Sequence, residues 1–175
     1  MRIRQGIEMF NVRVTRKTRN LEKLVEKLEA LSKENVETGV FAEQGEHPTA
    51  GMSYVDLAVM HEQGKEGSFP ARTVRPLILN AMNNKPFMDR VTEHLNKYVF
   101  KDVSLNYALG YIGQDMAMMG KSFFGVPNLP DMPSNSDNTI EYFKGGEDTP
   151  LVDEGFFKDT WAYKTSVNNI VVEGV

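Results

Sequence analysis

The sequence predicts an α+β fold, a single domain in which a small antiparallel sheet packs with several helices. Three observations predict it. Apolar residues alternate near the start and again near the end but recur at helical spacing through the middle, so strands flank a block of helices. A length of 175 residues is one domain's worth and can bury a single core. With 41% hydrophobic and 25% charged residues, the composition is that of an ordinary folded chain rather than a collagen, a coiled coil or a disordered polymer.

The elements follow in order. Phe10, Val12 and Val14 alternate with Asn11, Arg13 and Thr15, the period of a strand with one buried face. Asn20 can cap a helix in which Leu21, Leu24, Val25, Leu28 and Leu31 form one apolar stripe, expected to face the core. Val36–Ala42 reads as a second strand, ended by Gly45 and the turn formers of His47-Pro48-Thr49-Ala50-Gly51. Ser53, with Asp56 three residues on, opens a short helix that stops near Gly64. After the loop Lys65–Ala71, Pro76 sits in the tolerated first turn of a helix that runs to Asn83-Asn84. Pro86 starts another, with Phe87, Val91, Leu95 and Tyr98 inward. A longer helix spans about Val103–Phe124, where Gly110, Gly113 and Gly120 imply either close helix packing or a kink.

The character then changes. Residues 125–138 are rich in Pro, Asn, Ser and Asp, and a loop of that length is expected to be functional or mobile. Thr139–Phe143 reads as a strand and Gly145–Pro150 as a turn. A short helix is expected at Phe156–Thr160, and a terminal hairpin from Trp161–Thr165 and Asn169–Val175. No internal repeat is present.

Charge is unevenly spread. The net charge is −4, but residues 1–33 carry nine Lys/Arg against four Asp/Glu, while the rest of the chain carries eleven against twenty. An acidic body is a poor general nucleic-acid binder, since phosphate attraction dominates such affinity. The basic amino-terminal segment reads first as a solvated face or as the complement of an acidic neighbour. With no cysteine, disulfides, thiolate metal sites and a cysteine nucleophile are excluded. The first residues lack the apolar core of a signal peptide, and no run of 18 apolar residues occurs, so no membrane partner is expected.

Signals of catalysis are weak. His47, His61 and His94 make no i,i+4 pair, and no HExxH occurs. Gly110-x-x-Gly113 and Gly145-Gly146 lack the Lys-Ser/Thr of a phosphate loop. Asp153-Glu154 is an adjacency common on turns. No catalytic residue, cofactor or metal site is therefore expected.

Two segments carry a resemblance. The first is Val55-Asp56-Leu57-Ala58-Val59-Met60-His61-Glu62-Gln63-Gly64, followed by Phe69-Pro70-Ala71-Arg72-Thr73-Val74-Arg75-Pro76-Leu77. The second is Asn138–Tyr142 with Thr149-Pro150-Leu151-Val152-Asp153-Glu154-Gly155-Phe156-Phe157-Lys158-Asp159-Thr160-Trp161. They resemble the tail-component and virion-morphogenesis family of tailed bacteriophages. That family has a helix ending in His-Glu-aromatic-Gly, then Pro-Ala-Arg-Pro-Phe opening a helix, then Pro-Leu-x-Asp-Thr-Gly before a strand. The likeness spans roughly residues 8–170. Gln63 stands where an aromatic is usual, Thr73-Val74 where Pro-Phe is, and Glu154 where Thr is.

The resemblance implies a non-enzymatic structural protein of the virion neck, for tail completion or head–tail joining, assembled in the host cytoplasm. It implies a homo-oligomeric ring, a hexamer as the first expectation, touching head-connector, tail-terminator or tail-tube proteins, with DNA passing through the lumen without specific binding. Motif residues expected at turns or subunit contacts are His61, Glu62, Gly64, Pro70, Arg72, Asp153, Gly155 and Trp161, with Arg72 offering a bidentate fork to a carboxylate. The alternatives are a tail terminator, a metal-dependent nuclease built on Asp153, Glu154 and His61, and a DNA-binding protein using residues 2–33.

Overall fold

A computed structural model describes residues 18–166. The strand expected at Phe10–Val14 and the hairpin arm expected at Asn169–Val175 lie outside that range. Within it the element order is α1 (Thr18–Leu31), β1 (Val36–Gly39), a 3₁₀ turn (Ala42–Gln44), α2 (Tyr54–Gln63), α3 (Arg75–Met82), α4 (Lys85–Phe100), α5 (Leu105–Phe123), α6 (Asp137–Phe143), α7 (Phe156–Thr160) and β2 (Ala162–Thr165). This is the α+β domain the sequence predicts.

The sheet has two strands among the described residues. β1 and β2 pair antiparallel, with Val36 opposite Thr165 and Gly39 opposite Ala162. β2 thus finds its described partner early in the chain. β1 is shorter than predicted because the chain turns at Gly39 (φ 151°) and winds into the 3₁₀ turn. Gln44 fixes that turn. Its Oε1 accepts from the Phe41 N–H at 2.7 Å, and its Nε2 donates to the Thr160 carbonyl at 2.6 Å.

α5 is the central element, packed against both strands, α3 and α4. Neither close helix packing nor a kink accounts for its glycines, which instead admit aromatic rings from the β2 region. The helix is continuous, and a Cβ at Gly113 would overlap the Tyr163 ring, one at Gly120 the Trp161 indole. Gly110 is different, with only the Tyr163 hydroxyl near, at 3.8 Å. The main core joins Tyr54 and Leu57 of α2, Leu77 and Ile78 of α3, and Phe124, Phe157, Trp161 and Tyr163. Phe87, Ile112 and Met116 form a second cluster between α4 and α5.

The caps predicted for α2 are in place, and α4 and α5 have side-chain caps of their own. Ser53 Oγ accepts from the Asp56 N–H at 3.0 Å, and Gly64 ends α2 with φ 68°. Asn84 and Ser104 cap α4 and α5 through the Phe87 and Tyr107 N–H groups.

Three expectations fail. α1 begins at Thr18, so Asn20 lies inside the helix and not at its cap. Its apolar stripe also does not enter the core, for Leu21, Val25 and Leu28 are exposed. The helix is held instead through Lys27, whose ammonium donates to the Tyr98 and Val99 carbonyls at 2.8 and 3.2 Å. Those carbonyls are the unsatisfied acceptors at the negative end of the α4 dipole, which favour a cation. Third, residues 139–143 belong to helix α6 and not to a strand. Ser136 Oγ accepts the Thr139 N–H at 3.2 Å, and Asp137 lies in the first turn, so capping overrides the β preference of Thr139, Ile140, Tyr142 and Phe143.

α6 also shortens the long loop, which is well anchored. Met132 is completely buried, the Thr73 N–H donates to the Asp131 carbonyl at 3.0 Å, and the Gly125 N–H to the Pro150 carbonyl at 2.9 Å.

Candidate functional site

The two motif segments, far apart in sequence, meet around His61. It lies in the last turn of α2, its ring 5.6 Å from that of Phe69 and 6.0 Å from that of Phe157 on α7, nearly parallel to the latter. Its Nδ1 is buried with no hydrogen-bond partner. Burial, aided by the nearby Arg72 charge, lowers the imidazole pKa to about 4, so the ring is neutral at pH 7. A neutral ring between two aromatic rings is a packing group.

Arg72 follows directly. Its backbone N–H donates to the His61 carbonyl at 2.7 Å. Its side chain is buried, with Nε donating to the Pro133 carbonyl at 2.9 Å and Nη2 to the Ser134 carbonyl at 2.8 Å. The expected grip on a carboxylate is therefore replaced by a clamp on the backbone of the long loop. Burial pulls its pKa down, and the Asp148 charge opposes that.

The other motif residues surround this clasp. Glu62 Oε1 lies 3.3 Å from the Arg75 Nε and accepts from the Thr73 hydroxyl at 3.3 Å. Gly64 is constrained twice, by its positive φ and by space, since a Cβ there would lie 2.5 Å from the Ala71 nitrogen. Pro70, on the surface, fixes the strand-like entry to Ala71. Gly155 precedes α7 in the left-handed region at φ 88°. Trp161 is buried, donating from Nε1 to the Thr38 hydroxyl at 3.1 Å and standing edge-on to Phe124 at 5.5 Å. Asp153 points into solvent and meets the Lys144 ammonium at 3.3 Å.

Two clefts flank the clasp, and His61 and Arg72 form part of the wall of each. One, of about 520 Å³, is bordered by His47, Lys144, Asp153, Glu154 and Phe156. The other, of about 480 Å³ and mostly apolar, runs beside β1 between α2 and α3. His61, Asp153 and Glu154 thus share the first cleft, but no group of three His, Asp or Glu among the described residues could hold a metal ion. His94 is remote from the clasp, stacked on Tyr111 beside Asp115.

Sequence reading missed the partners that make the clasp, Phe69, Phe157, Met132 and Thr38. The Phe156-Phe157 pair beside Gly155 carried a signal, since one of two adjacent residues on a short helix turns inward. Met132 carried none. Compared with protein-family profiles, curated proteins and solved structures, the chain matches none of them. No helix among the described residues is long and apolar enough to cross a membrane.

Proposed function

We propose that this chain is a structural virion protein at the head–tail junction of a tailed bacteriophage, one subunit of a homo-oligomeric ring that completes the tail or joins it to the head connector. The observation that carries the reading is the clasp. The two segments that resemble the morphogenesis family come together, and their motif residues are spent on packing, capping and clamping rather than on a reactive centre.

Exposed apolar side chains support the assembly part of the reading. Tyr142 and Phe143, at 71% and 79% exposure, stand on α6, and Phe100 ends α4. Adjacent large exposed aromatics such as Tyr142 and Phe143 fit a contact with another protein. A head-to-tail contact that closes on itself yields a ring. The acidic excess of residues 34–175 suits a lumen that lets DNA slide without adhering.

A phage lacking this chain should accumulate filled heads and separate tails, and the purified protein should restore joined particles in the extract. A Tyr142→Asp, Phe143→Asp double variant that keeps its fold should restore few. Normal virion yield without the chain would refute the reading.

A further inference from the structure

The cleft of about 520 Å³ falls in the size range of ligand pockets, roughly 300–1,000 Å³. A cavity of about 150 Å³ already holds a benzene ring, so there is room for an aromatic or branched aliphatic body and a polar head. Leu57 of α2 and Phe156 and Phe157 of α7 give the cleft an apolar wall. His47 stands edge-on to Tyr54 at 5.3 Å and to Phe156 at 5.8 Å, which holds its ring in place. Its Nδ1 accepts from the Ala50 N–H at 3.1 Å and the Thr49 N–H at 3.3 Å, so the ring's proton sits on Nε2 as a donor.

Two cations and two carboxylates line the cleft, and their exposure decides its sign. Arg72 is 7% exposed and the Lys144 side chain 14%. The Asp153 side chain is 88% exposed, and Glu154 is exposed as well. Charges in open water are screened, whereas charges within a protein wall act through a lower dielectric. The interior of the cleft is therefore positive behind a solvated acidic rim. The Arg72 charge acts on His61 in the same wall and helps to keep that ring neutral. Asp148 offsets part of the Arg72 charge, which leaves Lys144 as the main anchor. The Lys144 ammonium donates to the Val152 carbonyl and meets Asp153 at 3.3 Å. A pair with so exposed a carboxylate is weak and readily exchanged for another.

We propose that this cleft is a binding site for an apolar carboxylate, its hydrocarbon body against Leu57, Phe156 and Phe157 and its carboxylate on the Lys144 ammonium and the His47 Nε2–H. A small aromatic acid and the carboxyl terminus of a polypeptide ending in an apolar residue offer this same chemistry. The site belongs to the free subunit and is independent of any role in a virion.

Titrating the full-length protein with phenylacetate should give saturable amide NMR shifts at His47, Lys144 and Phe156, with a Kd on the order of 1 mM. Phenylethanol and phenethylamine keep the body and change the head, and each should bind about tenfold more weakly or worse. Lys144→Gln should lose about tenfold in affinity for the acid and little for the alcohol. The comparison of the three ligands needs only the wild type, so it holds even where that variant folds poorly. Two peptides ending in Phe, one with a free terminal carboxylate and one amidated, separate the sources. Tighter binding of the free-carboxylate peptide than of phenylacetate supports a chain terminus as the occupant, and weaker binding supports a small acid. Binding of the amine or the alcohol as tight as that of the acid would overturn the assignment. So would the lack of a saturable shift at about ten times the expected Kd, or shifts confined to Val59 and Ile78 of the other cleft.

Discussion

Gly113 and Gly120 lie two turns apart on the face of α5 that meets the sheet, and each gives its space to an aromatic ring from the β2 region. Gly120→Ala should therefore cost about 2–3 kcal/mol, because neither the indole nor the helix backbone can retreat without loosening the core. Gly110→Ala meets nothing closer than the Tyr163 hydroxyl and should stabilise by about 0.5–1 kcal/mol through helix propensity alone. Urea unfolding of the two variants measures the contrast, and equal effects would mean that the rings are not what demands glycine. His61 yields a prediction with a sign. Its folded pKa, about 4, lies below the ordinary value of 6.5, so the unfolded chain binds the proton more tightly. The stability due to neutral His61 is complete above about pH 6.5 and is lost as pH falls from there toward 4, with a slope no steeper than about 1.4 kcal/mol per pH unit and reduced by the ring's partial exposure. His61→Phe should flatten the pH dependence of unfolding across that window relative to the wild type. An unchanged profile would remove His61 from the account.

At the scale of elements, Arg72 links a helix entry to the loop before α6. Arg72→Met keeps much of the side chain's bulk but removes two charged donors from the Pro133 and Ser134 carbonyls. Loss of such bonds at a buried site costs about 2–4 kcal/mol, and limited proteolysis should then cut between residues 125 and 136 faster than in the wild type. Cleavage that is equally slow in both would show that buried Met132 and the backbone bonds at Gly125 and Asp131 anchor the loop without Arg72. Elements governed by local chemistry were legible in the sequence. α2 was announced by Ser53, Asp56 and Gly64, α3 and α4 by Pro76 and Pro86, and the end of α3 by Asn83-Asn84. Misreadings arose where local and distant forces disagree. In residues 139–143 the residue types favour a strand, and the Ser136 cap won. In α1 the periodicity correctly announced a helix, but periodicity says only that one face is apolar, never what will cover it. Asn20 is a good capping residue, yet helix formation extends past it to Thr18. In the candidate site, Gly64 and Gly155 were legible because each answers a local backbone demand, whereas Trp161 is placed by Thr38 and Phe124, both distant in sequence. The fork of Arg72 was assigned to a carboxylate, and its real acceptors, two loop carbonyls, belong to a segment whose path no local rule dictates.

The whole molecule is a helical frame around α5, with a small sheet on one side and a clasp of two motif segments beside it. Among the described residues large apolar side chains are exposed on α1, α4, α5 and α6, the most exposed being Phe100, Tyr142 and Phe143. A free subunit in water gains nothing from such surfaces, whereas a ring subunit buries them against its neighbours and its template. In the proposed ring, the amino-terminal basic excess and the acidic excess of the rest would give assembly a direction, one subunit's positive segment meeting the next one's body. The most direct test is the position of this chain in purified virions, read by electron cryomicroscopy of the neck together with mass spectrometry of separated heads and tails. The account predicts a ring of copies, sixfold as the first expectation, at the head–tail junction, with an acidic lumen around the DNA path. A virion from which the chain is absent, or one that holds a single copy away from that junction, would contradict it.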